Sequence, residues 1–99
     1  MKLPNKINVM GNNYKITYTN RVTDTDPEER RSLYGFIDHW KREIRIYAKD
    51  RTEFDKFQNL LHEVIHAISN EIHIDLDETE TDLLATMILD TFTRNGFLK

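Results

Sequence analysis

Residues 62–66 read His-Glu-Val-Ile-His, two imidazoles four positions apart with a carboxylate directly after the first. On a helix, positions i and i+4 lie one turn apart on the same side, so His62 and His66 can both turn toward one metal ion at ~2.0–2.1 Å. Glu63 can then reach a water activated by that ion without ligating the ion itself, which is where a general base is needed. A zinc ion lowers the pKa of such a water from 15.7 toward ~7 and polarises a carbonyl, while the glutamate takes the proton and returns it to a leaving amine. The chemistry these three residues point to is hydrolysis of a peptide bond. The competing reading is a core helix with two histidines at its border, but unpaired imidazoles at half-buried positions cost desolvation energy. One Zn2+ per chain is therefore expected. With no cysteine in the chain, its ligands have to be imidazole and carboxylate.

A catalytic zinc takes three protein ligands and keeps one position open. The extended pattern H-E-x-x-H-x-x-G-x-x-H needs glycine at 69 and histidine at 72, where this chain has Ser69 and Ile72. His73 is one residue out of register and suits a loop or surface role better than a ligand. Acidic residues follow in "DETETDLLA" (77–85), which supplies Glu78, Glu80 and Asp82. If the chain reverses near residue 72, Glu78 comes level with His66 and Asp82 with His62. Glu78 can then complete the metal shell while Asp82 accepts the outer N–H of His62. Glu80 has another use, as the N3 residue of a capping box closed by Asp77, and a first-turn acid such as Glu78 is also favoured by the helix dipole. The third ligand is expected at Glu78, ahead of Glu80, Asp82 and His73.

The elements that must hold these residues can be read from periodicity. Phe54, Phe57, Leu61, Val64, Ile65, Ile68 and Ile72 recur at helical spacing after Thr52, which with Asp55 resembles a capping box. A second helix is expected from about Asp77, with Leu84, Ile88 and Phe92 on one stripe, ending before Asn95-Gly96. Upstream, Ile7 and Val9, then Tyr14, Ile16 and Tyr18, alternate with polar residues around Gly11-Asn12, as in a hairpin. Residues 20–33 are polar, with a helical turn expected after Pro27. Two more strands follow at 34–40 and 43–48 around Lys41-Arg42, with Ile44, Ile46 and Ala48 on one face. The expectation is an α+β chain: a meander of about four strands, rich in antiparallel pairing, followed by two helices.

At 99 residues, 38% apolar and 31% charged, the chain has the size and composition of a single globular domain, 1–99. A net charge of −3 with scattered cations argues against a direct nucleic-acid ligand. No apolar segment approaches the ~20 residues of a membrane span, and no leader-like segment opens the chain, so a cytoplasmic location is expected.

On the segments "LLHEVIHAIS", "ETETDLLA" and "YGFIDHWKREIRIYA", the sequence resembles the small gluzincin-like metallopeptidases of phages and prophages, distantly similar to the ImmA/IrrE-type peptidases. The resemblance covers about residues 6–94. It implies a minimal zincin-like fold, His62, His66 and Glu78 as zinc ligands, and Glu63 as base. It also implies a protein or peptide substrate pairing along the sheet edge nearest the zinc, with 43–48 the expected edge and a repressor-type regulator of a mobile element the expected substrate. No counterpart for a transition-state stabiliser is assigned; His39, His73, Tyr34 and Tyr47 are the candidates. A non-catalytic, zinc-stabilised binding protein on the same scaffold is the alternative.

Overall fold

Two strand pairs and two helices make up the described part of the chain, which in this computed structural model comprises residues 2–21, 24, 25 and 34–98. The helical turn expected after Pro27 lies outside the described residues. β1 (Lys6–Val9) and β2 (Asn12–Thr19) pair antiparallel with Val9 opposite Asn12. Their two-residue turn is therefore Met10-Gly11, one position earlier than the expected Gly11-Asn12. Both turn residues have positive φ, 54° and 87°, as a primed hairpin turn requires. Asn8 holds the turn by accepting from Gly11 N–H at 2.9 Å and donating to Asn13 Oδ1 at 2.9 Å.

β3 (Gly35–Asp38) and β4 (Glu43–Tyr47) form a second antiparallel hairpin. Its turn is fixed by the Asp38 carboxylate, which accepts from the N–H groups of Trp40 and Lys41 at 3.0 and 2.9 Å. The sheet order is β1-β2-β4-β3, with β2 and β4 parallel, so the expected meander is corrected to a mixed sheet. The strand expected over 43–48 lies inside the sheet and is not an edge; the edge strand on that side is β3. The reason lies in burial and chain length. Ile44 and Ile46 of β4 are wholly buried, whereas every residue of β3 is only half-buried, and the most apolar strand takes the central place. A parallel neighbour needs a crossover of a dozen or more residues, and residues 20–42, which include β3, separate β2 from β4 in the chain.

α1 (Glu53–Ile72) begins at Thr52, whose side chain accepts from Asp55 N–H at 3.0 Å, so of the expected Thr52–Asp55 capping box the structure shows the N-cap half. It lays Leu60, Val64 and Ala67 onto Val9, Tyr14, Ile16, Ile44 and Ile46 of the sheet. The single apolar stripe expected on this helix is divided. Val64 and Ile65 are buried, but Phe54, Ile68 and Ile72 are exposed. The helix has to serve two neighbours, the sheet on one side and α2 on another. His73 ends α1 in the left-handed conformation (φ 57°, ψ 41°), and its N–H and that of Ile74 both return to the Ser69 carbonyl. The chain reverses over 73–77. α2 (Glu78–Arg94) then starts with a complete Asp77–Glu80 capping box and packs back on α1, burying Thr81, Ala85 and Leu89. Among the described residues no helix is long and apolar enough to cross a membrane.

Candidate metal centre and its cleft

The α1–α2 reversal sets the first residue of α2 against the third and fourth turns of α1. Glu78 Oε1 lies 2.9 Å from His66 Nε2 and Oε2 lies 3.0 Å from His62 Nε2, with the two Nε2 atoms 3.1 Å apart. Nitrogens and oxygens with lone pairs turned on one another repel unless a proton or a cation lies among them. Tetrahedral bonds of ~2.0–2.1 Å would hold ligand atoms roughly 3.3–3.4 Å apart, only slightly wider than these spacings. His62, His66 and Glu78 form a group that can hold one metal ion.

The other acids divide by function. Asp82 Oδ1 stands 3.4 Å from His62 Nδ1, on the side of the ring away from the convergence point, where it can fix the tautomer. Glu80 is turned back into its cap, accepting from Asp77 N–H at 2.9 Å while its own N–H donates to Asp77 Oδ1 at 2.7 Å. His73 ends α1 through its backbone and does not belong to the converging group of His62, His66 and Glu78. Burial holds the His66 pKa below its ordinary value, against the opposing pull of Glu78. Burial thus favours the neutral ring, the form that binds metal.

Glu63 projects to the sheet side of α1 and is only 6% exposed. Burial, and secondarily the charge of Glu78, raises its pKa to about 8. A base has to titrate near the working pH, and a cation beside it would draw the value down from there. Space for the carboxylate comes from Gly35 of β3: a Cβ there would lie 2.6 Å from Glu63 Oε2.

Glu63, Gly35 and Glu78 line two hollows. One, of about 280 Å³, extends past His66 to His39 in the β3–β4 turn. The other, of about 160 Å³, extends past His62 and Asp82 to Tyr34 and Asn59. Of the four candidate stabilisers, Tyr34 and His39 thus stand at opposite ends of the cleft. Tyr47 supports Tyr34 by stacking, with centroids 6.3 Å apart, and Arg51 packs its guanidinium 4.1 Å from the Tyr34 ring. His73 lines a further hollow beyond His66. Sequence reasoning did not single out Asn59, whose Oδ1 is buried with no hydrogen-bond partner among the described residues. Its position one turn before Glu63, at i−4, was the available signal.

No family model matches the chain, and neither does a curated protein or a solved structure.

Proposed function

We propose that the chain is a zinc-dependent endopeptidase on a minimal zincin-like fold, of the gluzincin-like kind its sequence resembles. The observation that carries this reading is the placement of the buried Glu63 carboxylate in the same cleft as His62, His66 and Glu78. His62, His66 and Glu78 would hold the zinc. Bound there, zinc would supply Lewis-acid polarisation of the scissile carbonyl and would acidify the attacking water. Glu63 accepts the proton from that water and delivers it to the leaving nitrogen. Asp82 accepts from His62 Nδ1–H and keeps Nε2 free for the metal. The substrate strand adds along β3, which pairs with β4 on one side and with no further strand among the described residues; its backbone groups supply affinity there. A regulatory protein of a mobile element is the substrate class the resemblance suggests.

The test is Glu63→Gln in zinc-loaded protein, assayed on a peptide library made by digesting a whole proteome. Gln preserves shape but cannot take the proton, so cleavage disappears while one zinc per chain remains. Cleavage that persists in this variant refutes the assignment. The ligand set also ties α2 to α1, which favours a structural zinc as the second reading. In that case the wild-type protein binds zinc and cuts no member of the library.

A further inference from the structure

A second groove, containing none of His62, Glu63, His66 or Glu78, runs between the helices. It is lined by Ile65, Ile68 and Ile72 of α1, Leu84 and Ile88 of α2, and Leu76 of the connection, and encloses about 340 Å³. The lining itself is open to water, with Ile72 43% exposed, Leu84 42% and Ile74 53%, and Met87, 65% exposed, follows Leu84 by three residues on α2. Leaving this much aliphatic surface in water is unfavourable, and a contiguous patch of this kind marks a contact site.

The charge around the groove identifies the occupant. Residues 57–93 carry no lysine or arginine, and the acids that flank the groove lining in the chain are Asp75, Asp77 and Glu80. Asp77 and Glu80 precede Leu84 by seven and four residues, on the same stripe of α2, and Asp75 sits between Ile74 and Leu76 in the connection. All three are exposed, and among the described residues no lysine or arginine pairs with any of them. We propose that this groove docks a cationic amphipathic helix of a partner protein. Apolar residues of that helix at i, i+3 or i+4, and i+7 fill the groove, and flanking Lys or Arg side chains meet Asp75, Asp77 and Glu80. A second copy of the chain is a poor occupant, because a two-fold contact would set the same acids against one another. An anionic membrane surface is repelled for the same reason. The proposal does not depend on the metal centre.

The experiment uses the whole chain and two labelled helical peptides of about 18 residues, one Leu/Lys and one Leu/Glu with the same apolar face. The Leu/Lys peptide is expected to bind, to weaken as salt rises, and to lose about tenfold in affinity with Leu84→Ser, Met87→Ser or Asp75→Lys; the Leu/Glu peptide is expected not to bind. Met87 is the more exposed of the two apolar positions, so its variant keeps the fold if Leu84→Ser does not. Affinity unchanged by both serine variants would overturn the proposal, since attraction would then be charge alone. So would a chain that sediments as a dimer dissociated by Met87→Ser, or that binds phosphatidylserine vesicles through the same residues.

Discussion

Gly35 of β3 and Glu63 of α1 compete for one volume: a Cβ on Gly35 would stand 2.6 Å from Glu63 Oε2 and 3.1 Å from its Cδ and Cγ. The φ of Gly35 is not positive, unlike those of Gly11 and Gly96, so glycine is required here for space and not for backbone conformation. A strand glycine ordinarily weakens its strand. Here its absent side chain is what lets a carboxylate lie against the sheet.

Gly35→Ala is therefore expected to destabilise the protein by about 1–3 kcal/mol through overpacking, and to displace the Glu63 carboxylate. In a Glu63→Ala background the same change becomes neutral or stabilising by up to about 1 kcal/mol, because the clash is gone and alanine is the better strand residue. Denaturant melts of the four proteins measure the coupling. A cost that is the same in both backgrounds would show that Gly35 meets something other than Glu63.

Burial of Glu63 gives metal-free protein a characteristic pH dependence. Its folded pKa is raised to about 8 from 4.5, so the unfolded chain releases this proton first as pH rises. Stability contributed by the protonated group is complete below about pH 4.5, declines between pH 4.5 and 8, and is lost above pH 8, by a few kcal/mol in total. Glu63→Gln removes that decline, so the variant gains on the wild type at pH 8 and not at pH 4. Chelator-treated samples melted across this range test the sign.

Metal affinity is expected to respond in graded fashion to the four polar residues around the convergence point. His62→Ala, His66→Ala or Glu78→Gln abolishes stoichiometric zinc at micromolar protein, whereas Asp82→Asn weakens binding by 10–100-fold because it removes only the partner of His62 Nδ1. Competition with a chromogenic chelator reads all four. Equal losses for Asp82→Asn and Glu78→Gln would mean that Asp82 is itself a ligand.

Glu80 supplies the contrast. Glu80→Ala breaks half of the capping box and should lower stability by about 1 kcal/mol, with zinc stoichiometry unchanged. Loss of metal in this variant, with α2 still helical by circular dichroism, would move the third ligand from Glu78 to Glu80.

What could be read from the chain follows interaction range. The caps at Thr52 and Asp77, the span of α2 from Glu78 to its end before Asn95, and the shared side of His62 and His66 all depend on contacts within about one helical turn. Such contacts are written in spacing alone. The hairpin turn was misplaced by one residue because the pairing of Val9 with Asn12, and not the composition of the turn, decides which two residues reverse the chain.

The sequence by itself determined the two helices, the α+β class and the convergence of two imidazoles, because each follows from periodicity and local hydrogen bonds. It gave Glu78 only as the first of several acids. Tertiary structure brought Glu78 to within 2.9 Å of His66, turned Glu80 back into its cap, put β4 inside the sheet and β3 at its edge, and set Gly35 beside Glu63. Those outcomes depend on how far the chain travels between elements and on which strand has most to gain from burial. Neither quantity is visible in a spacing of residues.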